Sequence, residues 1–215
     1  MTSANLLARL RTLLDESAAS FWTDAECYAA LSDGQREVAN ITYKIYDTLR
    51  RVDRDLELPK VLRSLITAVS ASTGSGTSFI TLAATAWLDI ISIQYNHTTG
   101  AKKPVLIRRN RETVLFQNQN TYMADDETNA DYWAYISYSG IIQLSHAADA
   151  NGTHTVEYLA VPTEIASATD PILPDMCVEA ILHYGFAELL KKDQKLQEAN
   201  QEYNIFIQLV QNLVM

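Results

Sequence analysis

The chain has little cysteine, a shortage of positive charge and no long apolar run, and each lack excludes something. Cys27 and Cys177 are its only cysteines in 215 residues, too few for a disulfide framework. Each sits among apolar neighbours in a predicted terminal helix, where free Cys serves as a small buried hydrophobe. A bridge stays open only if those two helices pack together. Lys and Arg number 17 against 26 Asp and Glu, a formal charge of −9. That argues against a dedicated nucleic-acid binder, which needs a basic face for phosphates. No stretch approaches the roughly 18 apolar residues of a membrane span. Residues 1–14 are Leu-rich, but Arg9 and Arg11 interrupt any signal-peptide core. The expectation is a soluble protein made in a cytoplasm, with no membrane partner.

Reactive motifs are missing as well. There is no Gly-x-Ser-x-Gly elbow and no His-Glu-x-x-His, and Gly74-Ser75-Gly76 lacks the lysine of a phosphate loop. His97, His146, His154 and His183 are scattered, none paired with a cysteine at zinc spacing. Asp125-Asp126-Glu127 and Asp131 do not follow the ligand spacing of an EF-hand, and read as a solvated loop. No catalytic, cofactor or metal residue is assigned, and enzymatic activity is not expected.

Helix signals dominate both ends. Leu6, Leu7, Leu10, Leu13 and Leu14 describe a short amphipathic helix. In Trp22-Thr23-Asp24-Ala25-Glu26, Thr23 is a predicted N-cap, Glu26 closes a capping box, and Trp22 can staple onto Cys27. The helix is predicted to run to about Arg54, with an inward stripe at Tyr28, Leu31, Val38, Ile41, Ile45, Leu49 and Val52. Gly34 inside it costs about 1 kcal/mol relative to Ala. Pro59 is expected to open a short helix to about Ile66. Near the C-terminus, Met176, Ile181, Leu182, Tyr184, Phe186, Leu189 and Leu190 predict a largely buried helix. The last stripe, Leu196, Ala199, Tyr203, Phe206, Val210 and Leu213, alternates steps of three and four, suited to lying along another helix.

The middle reads as strand. Residues 67–73 and 77–82 flank Gly74-Ser75-Gly76 as an expected hairpin, and residues 87–95, 105–108, 132–138, 141–145 and 153–161 are further β-prone runs. A short helix is expected over 111–117, capped by Asn110, and a protruding loop over 118–131. If 141–145 and 153–161 pair, His146 and His154 approach each other near the turn. The resulting fold class is α+β: terminal helices packed as a bundle, residues 1–63 and 166–215, with an antiparallel β-sandwich or small barrel inserted over 64–165.

Two stretches carry a family resemblance. Phe21-Trp22-Thr23-Asp24-Ala25-Glu26, continuing through Leu31-Ser32-Asp33-Gly34-Gln35-Arg36-Glu37-Val38, resembles the opening of head-to-tail adaptor (connector) proteins of tailed bacteriophages. Pro174-Asp175, Glu179-Ala180, Tyr184, Glu188 and Lys192-Asp193-Gln194, with Tyr203 and Phe206, resemble their closing helices. Leu58-Pro59, Leu65-Ile66-Thr67, Ile80-Thr81-Leu82 and Ile90-Ile91-Ser92-Ile93 follow the family's order between them, although Ala83-Ala84 replace its usual proline. The resemblance implies a structural virion protein without a cofactor. It would form a ring, typically twelvefold, in the neck between head and tail. That ring docks on the portal protein, meets tail or neck proteins and extends the channel through which genomic DNA passes without specific binding.

Candidate contacts follow. Lys102, Lys103, Arg108, Arg109 and Arg111 form the densest positive cluster, which can meet an acidic portal surface or DNA phosphates, or be an ordinary solvated strand edge. Val210, Leu213, Val214 and Met215 either finish the helix packing or insert into a neighbouring ring. A reading of another class also stands. It makes the chain a β-rich binding module on a helical stalk, holding carbohydrate or single-stranded nucleic acid on Tyr132, Trp133, Tyr135 and Tyr138.

Overall fold

A computed structural model of the chain describes residues 1–16, 21–53, 55–72, 79–81, 87–97, 102–108, 132–136, 141–144 and 152–214. The fold is α+β. Contacts divide the chain into two compact units, a helical one of residues 1–65 with 161–215 and a β unit of residues 66–160.

The helical unit contains α1 (Ser3–Leu13), α2 (Asp24–Arg50), α3 (Lys60–Arg63), α4 (Val178–Lys192) and α5 (Leu196–Val214). The capping box of α2 is formed as predicted: Thr23 Oγ1 accepts the Glu26 N–H at 3.3 Å, and the Glu26 carboxylate accepts the Thr23 N–H at 2.9 Å. Those bonds to Thr23 hold the Glu26 carboxyl below its ordinary range. α2 ends at Arg50, short of the predicted Arg54.

The inward stripe of α2 differs from the predicted one. Its buried residues are Cys27, Ala30, Leu31, Ser32, Gly34, Gln35, Val38, Ala39, Thr42 and Tyr46. Tyr28, Ile41 and Ile45 are half-buried, while Leu49 and Val52 are 45% and 89% exposed. The reason lies in α4. A Cβ on Gly34 would stand 2.8 Å from the Ile181 carbonyl oxygen, and one on Gly185 3.4 Å from that of Ala30. α4 therefore runs antiparallel to α2 at backbone contact, which only small residues permit. With Gly34 level with Ile181, α4 begins near Val38, and the later turns of α2 run past its end.

The same geometry separates the two cysteines. Both are free and buried, and they lie near opposite ends of the α2–α4 pair. At about 1.5 Å rise per residue the gap is on the order of 15 Å, beyond the reach of a disulfide.

α5 packs back on α4 along the predicted seam. Ala199, Phe206 and Val210 are fully buried, Tyr203 and Leu213 half-buried, and only Leu196, at the helix start, is exposed. The Tyr184 ring lies 5.0 Å from Phe206 and 6.2 Å from Tyr203, and His183 Nδ1 lies 2.5 Å from the Glu202 carboxylate. Met176, predicted inward, is 50% exposed. It sits in the 3-10 turn Asp175–Cys177 before α4, where three residues per turn shift the phase of the side chains.

The β unit is one sheet of β1 (Ile66–Ser72), β2 (Phe79–Thr81), β3 (Trp87–His97), β4 (Lys102–Arg108), β5 (Tyr132–Ile136), β6 (Ile141–Leu144) and β7 (Gly152–Ala160), in the order β1-β7-β3-β4-β5-β6-β2. All pairings are antiparallel except β4 with β5, whose link, residues 109–131, supplies the length a parallel connection requires. Among the described residues β1 and β2 are the two edges, so the sheet is not closed into a barrel. Nor do they form the expected hairpin: β1 pairs with β7 and β2 with β6. Gly74-Ser75-Gly76 lie outside the described residues, and their composition does not name the partner strand. β6 pairs with β5 and β2, not with β7, so the expected approach of His146 to His154 loses its basis.

The core of the sheet includes Ile80, Ile90, Ile93, Val105, Ile142, Leu144, Val156 and Tyr158. Ile90 and Ile93 share its buried side despite an odd separation because the β3–β7 register shifts between Ile90 and Ser92. Such an irregularity resets the alternation of side chains. The expected helix at 111–117 and loop at 118–131 lie outside the described residues.

Candidate interaction surfaces

The helical unit fixes its surface through buried polar groups on α2. Gln35 is fully buried. Its Nε2 donates to the Thr163 carbonyl at 2.8 Å, and its Oε1 accepts the N–H groups of Ile172 and Leu173 at 2.8 and 3.3 Å. Ser32 Oγ accepts the Ile165 N–H at 2.9 Å and donates to the Tyr28 carbonyl at 2.7 Å. Together they pin the returning segment 163–173 onto α2, giving its backbone the partners that helix or sheet would otherwise supply. Outside this seam Arg36 bridges Asp33 and Glu164, at 3.3 and 2.9 Å. An open groove of about 570 Å³ lies there, lined by Ala25, Tyr28 and Ala29 of α2 and by residues 164–167.

The far end of α1 is held by Arg11, whose guanidinium is nearly buried. It pairs with Glu16 at 3.1 Å, donates to the Trp22 carbonyl at 3.1 Å and pairs with Asp24. The hydrogen bond to Asp24 leads the causes that raise its pKa further. Beside this clamp lies a second cavity, of about 360 Å³. At the C-terminal end of α2, Arg50 and Arg51 both pair with Asp47, at 3.0 and 2.6 Å, and hold its carboxyl below the usual range, Arg51 more strongly.

Burial drives Cys27, Cys177, Tyr184 and His154 toward their neutral forms. Burial raises the Cys27 thiol and pushes Cys177 up to about 12, and does the same to the Tyr184 hydroxyl. In the β unit burial lowers His154 to about 4. Its ring lies 4.9 Å from that of Tyr95, its register partner on β3, tilted by 44°. Among the described residues no cluster of His, Cys, Asp or Glu is placed to hold a metal ion.

Lys102, Lys103 and Arg108 lie on β4, in register with Asn96, Tyr95 and Tyr135. Their side chains, together with Arg109 and Arg111, lie outside the described residues. So do Asp125, Asp126, Glu127, Asp131, Tyr138 and the side chains of Tyr132, Trp133 and Tyr135, with Ala134 between them fully buried. Val210 is fully buried and belongs to the packing of its own helical unit. Leu213 and Val214 are half-buried at the end of α5, and Met215 lies outside the described residues.

What the sequence reading missed is exposed apolar surface on the helical unit, including Leu13, Phe21, Leu49, Val52 and Met176. For Leu49 and Val52 the available signal was length. A helix of 27 residues facing one of 15 must leave turns uncovered. Among the described residues no helix is long and apolar enough to cross a membrane. No curated protein matches the chain. The SU10 adaptor protein family model, in contrast, matches residues 1–213, so the chain belongs to the SU10 adaptor protein family, a structural adaptor family of bacteriophages and not a known enzyme family.

Proposed function

We propose that the protein forms a ring in the neck of a tailed phage virion, joining the portal vertex to the tail and extending the DNA channel. The match to an adaptor family over nearly the whole chain carries this reading. A head-to-tail contact that closes after a fixed rotation makes such a ring, and a twelvefold ring multiplies modest contacts by effective concentration. The charge of −9 suits a passage that must not hold DNA back. Leu49 and Val52, exposed where α2 outruns α4, supply apolar area for a neighbour. The basic cluster from Lys102 to Arg111 suits an acidic portal surface, and the chain end from Leu213 an adjoining ring.

Electron microscopy of the purified protein, alone and mixed with the portal ring, tests the reading. Rings in either sample, with subunits counted, are the expected result. Monomers that ignore the portal in both samples would overturn it.

A further inference from the structure

The cavity beside the Arg11 clamp joins two kinds of surface. Phe21, Trp22 and Phe186 provide the aromatic part of an apolar wall completed by leucines, with Phe21 66% exposed and edge-to-face with Trp22 at 5.0 Å. Asp15, Glu16, Asp193 and Glu198 also line it, with Lys195 the one cation among its described lining residues. Glu16 is engaged by Arg11 at 3.1 Å and Asp193 by Lys195 at 2.8 Å. Asp15 makes no ion pair among the described residues, and Glu198 acts on Lys195 only through its charge. The space, about 360 Å³, is near the small end of ligand sites and suits one long side chain with part of its neighbour.

We propose that this pocket receives an arginine on a short basic segment of another virion protein. A guanidinium lies flat on an aromatic face and donates as a fork to carboxylates, so one side chain satisfies both halves of the pocket. A lysine ammonium is more strongly hydrated and presents no plane to stack. Arginine is also among the residues that most often anchor an interface from within a pocket. The occupant is a different, basic protein and not a second copy, because this chain has 26 Asp and Glu against 17 Lys and Arg and would bring like charge to the pocket. Arg9, Arg11, Arg36, Arg50, Arg51 and Arg63, those whose side chains are described, each pair with a carboxylate of the same unit.

The test uses the full chain with its tryptophans fluorinated, which gives ¹⁹F signals for Trp22, Trp87 and Trp133. N-acetyl-Leu-Arg-amide is titrated in, with N-acetyl-Leu-Lys-amide as the control. The Trp22 signal should shift and saturate while the other two stay still. The lysine peptide should bind at least about fivefold more weakly. Phe21→Ser, and separately Asp15→Asn with Glu198→Gln, should weaken the arginine response by a similar factor. These positions are at the surface, and unchanged Trp87 and Trp133 signals with an unchanged melting curve verify the fold. A Trp22 signal that never moves, an equal response to lysine, or a response that survives both variants overturns the proposal. So does a Trp22 shift produced by raising the protein's own concentration, which would make the occupant a second copy.

Discussion

The helical unit and the β unit are held together in opposite ways. In the helical unit the central contact is backbone against backbone, Gly34 on Ile181 and Gly185 on Ala30, and buried polar side chains on α2 fasten an irregular segment beside it. In the β unit the ladders satisfy the backbone, and the interior is an apolar cluster with His154 buried within the sheet. The first unit therefore depends on a few hydrogen bonds and on the absence of atoms. The second depends on keeping one ring uncharged.

Breaking the polar fastening should have the largest effect. Gln35→Leu strands the Thr163 carbonyl and the Ile172 and Leu173 N–H groups, and should cost the helical unit about 4 kcal/mol. Urea unfolding followed by far-UV circular dichroism checks it, with amide exchange in β3 and β7 unchanged if the loss is confined to that unit.

Acid should strike the β unit instead. His154 is lowered to about 4 in the folded state by burial, against an ordinary value of about 6.5. Between those values the unfolded chain takes up a proton that the folded one refuses. Stability present above pH 6.5 is thus lost as pH falls toward 4, by about 3 kcal/mol in all. Protection of β3 and β7 amides should fall across that window in the native chain and hold in His154→Phe. An unchanged slope in the variant would move the cause elsewhere.

The glycines sharpen the contrast further. Gly34→Ala gains about 1 kcal/mol of helix propensity but drives a Cβ to 2.8 Å from a backbone oxygen, so a net loss of about 2 kcal/mol is expected. Gly185→Ala meets its nearest atoms at 3.4 Å, and should be neutral or stabilising by up to about 1 kcal/mol. Thermal melts should fall for Gly34→Ala and hold or rise for Gly185→Ala, and parallel losses would show that the α2–α4 spacing is not what distinguishes them. Thr23→Ala removes the capping box, and should cost about 1 kcal/mol in the same melts.

The readable parts of this fold were local. Thr23 and Glu26 announce the start of α2 three residues apart, and the 196–213 stripe announces the face of α5, because caps and helical periods are written in neighbouring residues. The β-prone runs at 87–95, 132–138 and 141–145 overlap β3, β5 and β6 for the same reason. Pairing was not readable. Nothing near Gly74 says that β1 and β2 belong at opposite edges of a sheet. Of the candidate contacts, Val210 shows the same limit, since its apolar character fits a core and an interface equally well.

The sequence by itself determined where helices begin, the strand-rich character of the middle, the surplus of negative charge and the kinship with phage adaptors. The first three follow from composition and short spacings, and the kinship from the stretches that resemble the family's. Only the tertiary structure decided that the inner face of α2 adds small and polar residues (Ala30, Ser32, Gly34, Gln35, Ala39 and Thr42) to the predicted Leu31 and Val38. A close helix crossing rewards missing atoms, and no hydrophobic pattern records them. It also decided that Leu49, Val52 and Phe21 remain at the surface. Burial depends on how far a partner helix reaches, and that reach is fixed by the antiparallel register of α2 and α4.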